Sequence, residues 1–402
     1  MSGPRRPHNL SDLREAIAEA TASETSLEIS GRASKRALGR PIQASQVLDL
    51  SALSGIRTYE PAELVLTAAA ATPLAEIEAA LAANNQMLAF EPPHWDRLLA
   101  AQDSGSLGGV LACNLAGPRR IKSGAARDHF LGVVAVSGRG EIFKAGGKVV
   151  KNVTGYDLCK LLAGSFGTLA AMEEVTVKVL PAPPKTRTVL LLGLDAASAV
   201  TALTEALNSA YEVSGAAYLP RAVAARSRVD RVRAAEASVT AIRVEGTAIS
   251  VEARSQVLRR QFAAHAAVEE LHTTNSVQLW SEIREVQPLL PDPGRAIWRA
   301  SVPPTGGAAV AGAVGGEYLL DWGGGLVWAA MDAAGDGGAA IVRAAVRAAG
   351  GHALLVRAAP GVRAAVSVFE PQEGAVAALS ARVKKAFDPL RVLNPGRMYA
   401  EL

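Results

Sequence analysis

Residues 105–120 read GSLGGVLACNLAGPRR, and this stretch decides the architecture. Gly105, Gly108 and Gly109 crowd the point where an extended segment hands over to the helix-like run VLACNLAG, with Ser106 between them. Without a Cβ, such a loop lets a phosphate oxygen reach backbone N–H groups. A helix start beyond it adds unsatisfied donors and a partial positive charge. Two further loops repeat the theme. Gly31-Arg32-Ala33-Ser34-Lys35 follows the alternating Leu27-Glu28-Ile29-Ser30, and Gly164-Ser165-Phe166-Gly167-Thr168 precedes the alternating Val175–Val179. Any one of these is more often a plain turn than a ligand site. Three in one domain favour a diphosphate-containing ligand. None matches GxxxxGK[ST] or GxGxxG, which argues against a nucleoside triphosphate or a nicotinamide dinucleotide.

Outward from these loops, the chain changes texture twice. From residue 1 to 184 short apolar runs alternate with glycine turns. The pattern predicts a helix over 10–20, strands at 27–30, 47–50 and 65–68, a helix over 74–83, and a hairpin of strands 133–136 and 141–143 around SGRG. Pro181, Pro183 and Pro184 then punctuate the chain. Residues 185–380 are Ala- and Arg-rich, with strands at 188–192, 216–219 and 240–244, helices over 196–209 and 249–264, and no evident internal repeat. The run 305–316 reads as a flexible loop, and the arginines of 221–233 as a solvated helix face. Residues 381–402 read as a helix ending at FDPLRVLNPGRM. The whole is α+β, with mixed strands first and a small antiparallel sheet backed by helices second.

Composition narrows the function. Over 402 residues, 42 Lys+Arg against 38 Asp+Glu leave a net charge of +4, too small for a nucleic-acid footprint. Cys113 and Cys159 give neither a disulfide framework nor a zinc or iron–sulfur ligand set. No apolar h-region or membrane-spanning stretch is evident, so a reducing, cytoplasmic compartment is expected. The six histidines are not at ligand spacing, and His352 reads as a structural residue. Arg119 and Arg120 could clamp a carboxylate, although contact with phosphate, a partner or solvent is the better expectation.

Read together, GRASK, GSLGGVLACNLAGPRR, SGAARDHFLG, KNVTGYDLCKLLAGSFGTLAAMEEVTVKVLP and LNPGRM resemble the FAD-binding domains of the vanillyl-alcohol oxidase (PCMH) type. More narrowly, SKRALGRP, EPPHW, LAGPRR, IWRASVPP, LLDWGGGLVW and NPGRMYAEL are similar to the E-subunit family of bacterial glycolate oxidase (glycolate dehydrogenase). The resemblance implies an FAD-binding domain over 1–184, a smaller α+β cap with an antiparallel sheet over 185–380, and a return to the FAD domain over 381–402. It implies non-covalent FAD, with the pyrophosphate held at Gly31, Arg32, Ala33, Ser34 and Lys35 and at Gly105, Ser106, Gly108 and Gly109. Asn114, Gly117, Ser123, Gly124 and Arg127 fall at the family's flavin-contacting turns, and Met172 where its main chain meets the adenine. Tyr156 and Asp157 would shape the loop beside the flavin. Arg32 and Ala33 stand where the family more often has Gly or Asn.

The implied activity is oxidation of a 2-hydroxy acid, glycolate to glyoxylate. Electrons would pass to a partner iron–sulfur subunit, beside a related FAD-binding catalytic subunit, with inner-membrane association only through partners. The HxGDGNxH-like metal and base motif of catalytic relatives has no match here, so the catalytic residues stay unassigned. An assembly subunit with weak or no flavin is the alternative. An independent reductase of the UDP-N-acetylenolpyruvylglucosamine type lacks the NPGRM tail.

Overall fold

The computed structural model describes residues 4–147 and 155–402, folded as two compact units. The first comprises the described residues of Met1–Ala116, Gly124–Ala182 and Pro371–Leu402. The second comprises Gly117–Ser123 and Pro183–Glu370.

The first unit is built on a five-stranded antiparallel sheet in the order Ile56–Glu60, Val65–Ala69, Ala170–Lys178, Phe130–Ser137, Ile142–Gly146. The alternating Val175–Val177 segment buries its valines, while Thr176 pairs its hydroxyl with Thr67 across the strands at 2.9 Å. A second, two-stranded parallel sheet joins Leu27–Ser30 to Gln46–Asp49. Helix Leu10–Ala22 covers it, capped by Asn9 Oδ1 accepting from Asp12 N and packing Leu13, Ile17 and Ala20 into the same core as Leu27 and Leu48.

The C-terminal tail closes on this small sheet. Lys384 Nζ donates to Asp388 Oδ2 (2.7 Å), Thr168 O (2.7 Å) and Leu393 O (2.9 Å), and the Asp388 carboxylate accepts from Val392 N and Leu393 N. Leu27 N donates to Val392 O, and Asn394 N returns a bond to Leu27 O. The helix of this segment runs Gly374–Phe387, ahead of the expected residue 381, because its small-residue start carries no clear apolar period.

The second unit contains a duplication that the sequence hides. Its eight-stranded antiparallel sheet has the order Ala267–His272, Lys185–Leu192, Val239–Gly246, Gly215–Leu219, Glu317–Asp321, Leu326–Met331, Ala296–Ser301, His352–Arg357. In chain order each half is strand–helix–strand–strand–helix–strand, the split βαβ pattern. The two halves meet where Tyr218 pairs with Leu320. The four helices, Ala196–Leu207, Ala248–Phe262, Gly307–Val314 and Ala339–Ala348, contribute Leu203, Leu258, Val310 and Val346 to one continuous core with strand residues such as Trp298 and Leu355.

Two expectations are corrected here. The run expected to be a loop at 305–316 contains helix Gly307–Val314, whose small residues allow very close packing: a Cβ on Gly307 would lie 2.0 Å from Gly324 O. The arginines of 221–233 are exposed, as expected, but no single helix carries them. They lie on and between two four-residue helices, Arg221–Ala224 and Asp230–Arg233, and Arg226, Arg231 and Arg233 pair with Glu317, Glu269 and Asp230. No helix of the described residues is long and apolar enough to cross a membrane.

Candidate functional site

A cleft with about 800 Å³ of empty space, part of it open to solvent, lies in the first unit. Segment 28–36 forms one wall. Ala70, Ala71, Ser106, Gly108 and Gly109 form another, and Phe166, Gly167, Ala170 and Met172 the floor, with Asn394 and Arg397 from the tail. All three glycine loops therefore converge on one space. Their backbones differ sharply in what they have left to give.

The second loop is committed to the protein. Gly105 N donates to Asp103 Oδ1 (2.8 Å), Leu107 N to Thr72 O (3.1 Å), Gly108 N to Ala70 O (2.8 Å) and Gly109 N to Ser106 Oγ (3.2 Å). Its glycines serve packing: a Cβ at Gly108 would lie 2.6 Å from Ala70 O, and one at Gly105 2.2 Å from Ser34 Oγ. The third loop is similar, with Gly164 N, Ser165 N and Phe166 N donating to Leu111 O, Leu162 O and Ala112 O.

The first loop is open. The main-chain N–H groups of Arg32, Ala33 and Ser34 meet no acceptor among the described residues. Ala33 holds φ +58, the left-handed conformation that lets successive N–H groups face one concavity. Arg32 is tied to Asp103 at 2.6 Å. Lys35 is buried beneath the loop, its Nζ donating to His94 O (2.6 Å) and Ser104 O (3.3 Å) and lying 3.3 Å from Ser34 Oγ. Three open N–H groups above a buried cation make a concavity that favours an anion.

The tail sets this geometry. Asn394 Oδ1 accepts from Ile29 N (2.8 Å), its Nδ2 donates to Phe166 O (2.8 Å), and Arg397 Nη2 donates to Lys35 O (2.6 Å). One asparagine thus fastens the strand before the first loop to the third loop.

Gly31, Arg32, Ala33, Ser34, Lys35, Ser106, Gly108, Gly109 and Met172 all line the cleft, and Gly105 supports it through Ser34. The remaining candidates are not brought to it. Asn114 Oδ1 accepts from Arg127 N (3.0 Å), Gly124 turns against Asp128, and Gly117 and Ser123 belong to the second unit. The quoted Lys151–Thr154 lies outside the described residues. Tyr156 is exposed, and Asp157 caps the next helix by accepting from Lys160 N. Glu28, Cys113, Asn394 and Arg397 line the cleft without having been singled out. Only the NPGRM tail hinted at the last two. Burial pushes the Cys113 thiol up to about 11 and the Cys159 thiol up to about 12, so both are protonated at neutral pH.

Arg119 does hold a carboxylate, but one of its own chain. Its guanidinium grips Glu245 at 3.0 and 2.8 Å, with Arg243 at 3.6 Å. Burial works against the Glu245 charge, yet Arg243 and Arg119 hold its carboxyl down at about 2.

Residues 4–146 match the family model of an FAD binding domain. Over 391 residues the chain is 36% identical to glycolate oxidase subunit GlcE of Escherichia coli (strain K12), covering 97% of each chain. The chain belongs to the GlcE family of glycolate oxidase subunits. It is also 41% identical over 95 residues to glycolate oxidase subunit GlcD of Bacillus subtilis (strain 168), a match covering 23% of this chain and 20% of that one. The fold of this GlcE-family chain is that of p-cresol methylhydroxylase, solved with substrate bound: TM-score 0.71 at 13% identity, over 98% of this chain and 88% of that one. The open first loop lies within the segment that matches the FAD binding domain, whereas Phe166, Gly167, Met172, Asn394 and Arg397 complete the cleft from beyond it.

Proposed function

We propose that this chain is the FAD-carrying subunit of a glycolate oxidase complex that oxidises glycolate to glyoxylate and passes electrons to a partner iron–sulfur subunit. The observation that carries the reading is the first loop: free N–H groups at Arg32, Ala33 and Ser34 over buried Lys35, at the mouth of a cleft. These residues would hold the diphosphate of FAD, with Ser106 offering a hydroxyl from the facing wall and Met172 and Phe166 giving apolar contact. When bound, FAD supplies the hydride acceptor for oxidation of a 2-hydroxy acid. The chain's own residues bind and orient. Asn394 fixes the strand leading into the loop, and the engaged second loop presents a rigid wall that needs no rearrangement on binding.

The committed second loop favours one rival, an assembly subunit whose flavin is weakly held. Purifying the full chain alone and with its neighbouring subunits, then measuring flavin absorbance per chain, separates the two. A near-stoichiometric yield on this chain supports the proposal. Flavin found only on a partner chain overturns it.

A further inference from the structure

We propose that helix Gly374–Phe387 of the first unit is a docking face for another subunit, which seats on it an amphipathic helix whose apolar stripe is edged with Asp or Glu. Of the 14 residues of this helix only Lys384 is buried. Helices of similar length bury a whole stripe: Leu10–Ala22 buries Leu13, Ile17 and Ala20, and Ala196–Leu207 buries Ala199, Val200, Ala202, Leu203 and Ala206. The hydrogen bonds and ring contact of Gly374–Phe387 with the rest of the chain lie in its last turn. Lys384 holds Asp388, Thr168 and Leu393, the Phe387 ring meets that of Phe143 edge-on at 5.9 Å, and Ala386 O accepts from Arg139 Nε at 2.8 Å. Before Lys384 no residue of the helix is buried, and the N-cap Glu373 makes no side-chain capping bond. A helix this short is marginal in water unless a packed face supports it.

The exposed part is patterned. Val376, Leu379, Val383 and Ala386 recur at i, i+3, i+7 and i+10, the heptad spacing of a seam that meets a second helix. Val376 and Leu379 are each 52% exposed, Val383 is half-buried and Ala386 is exposed. With 3.6 residues per turn, the outer edge of this stripe falls to Arg382, with Lys385 beyond it. Both are exposed and neither has an ion pair among the described residues. The helix contains no Asp or Glu, and Glu373 lies at its opposite end. These charges choose the occupant. A second copy would bring further cations to a stripe whose open edge is already basic, which is unfavourable. A partner helix with Asp or Glu at the flanking position would instead pair with Arg382, as charged heptad edges do.

Docking here rests on the multisubunit reading above and uses none of the residues assigned to the flavin. The test co-expresses the full chain, tagged, with its neighbouring flavin and iron–sulfur subunits. It measures the yield of each co-purified subunit, with flavin content, melting temperature and mass in solution. The wild type should retain a neighbouring subunit, and amides of residues 376–381 should exchange more slowly in that complex than in the chain alone. Leu379→Glu should cut the retained subunit at least about tenfold, and Arg382→Glu about threefold or more, with flavin content and melting temperature of the chain itself unchanged. Arg260→Glu, the same charge reversal on an exposed position of a helix in the second unit, should behave as wild type. No retained subunit, unchanged retention in Leu379→Glu, or equal loss in Arg260→Glu would overturn the proposal. So would a lowered melting temperature of the Leu379→Glu chain, which marks a face covered within the chain. A wild-type homodimer that Leu379→Glu dissociates, or binding to phosphatidylglycerol vesicles that Leu379→Glu abolishes while the subunit is retained, also overturns it. A wild type that holds the subunit through Leu379 but carries no flavin supports the docking face and contradicts the flavin assignment alone.

Discussion

The loops at 31–35 and 105–109 look alike in sequence and do opposite things. In the second, glycine permits close packing and nearly every N–H is bonded within the protein. In the first, an alanine sits at positive φ and the N–H groups of residues 32–34 meet no acceptor among the described residues. Glycine richness therefore marks where the backbone is crowded, and unengaged donors mark where an anion can bind. The second unit repeats the contrast with side chains: Arg119 is engaged by Glu245, whereas Arg299 makes no hydrogen bond or ion pair among the described residues.

Breaking an engaged group should have the largest effect. Glu245→Gln leaves Arg119 and Arg243 facing each other without their buried carboxylate, and should destabilise the second unit by about 3 kcal/mol in denaturant titration. The folded-state pKa of Glu245 lies below its ordinary value, so its contribution is complete above about 4.5 and is lost as pH falls toward about 2. Over that window the wild type should lose stability more steeply than Glu245→Gln.

Gly108→Ala should come next. Helix propensity favours alanine by about 1 kcal/mol, but the new Cβ would meet the Ala70 carbonyl at 2.6 Å. Backbone cannot yield cheaply there, so overpacking of about 1–3 kcal/mol should win. Flavin should then be lost only as far as the fold is lost, which thermal melts and flavin retention measured on one sample will show.

The first loop should behave in reverse. Ala33→Asp keeps a residue type that tolerates positive φ and sets a carboxylate beside the open donors. The melting temperature of the flavin-free chain should move by no more than about 2 °C, while flavin affinity drops roughly tenfold or more. The smallest effect is expected from Ala33→Gly. Relief of left-handed strain, about 1–2 kcal/mol, outweighs the added unfolded-state entropy of about 0.4–1 kcal/mol, so the chain should gain about 0.5 kcal/mol and keep its flavin. A loss of flavin in Gly108→Ala without any loss of stability would blur the distinction between the loops.

The sequence made local features readable. Alternation at 175–179, the SGRG hairpin and the helix that starts at Leu10 follow from period and turn chemistry, and the three glycine loops lie along or support one cleft. Three things lay beyond its reach. Whether an N–H is open depends on distant carbonyls, such as Ala70 O beneath Gly108. Asn394 reaches Ile29 and Phe166 only through the fold. The duplicated half of the second unit is disguised because its first helix, Gly307–Val314, is made only of Gly, Ala and Val and reads as a loop.

Hydrogen exchange of the flavin-free chain, with and without added FAD, tests the division of labour most directly. Amides of residues 32–34 should exchange fast without FAD and become protected with it, while those of 107–109 should be protected in both states. Unchanged exchange at 32–34 on saturation with FAD would contradict the assignment of the diphosphate to the first loop.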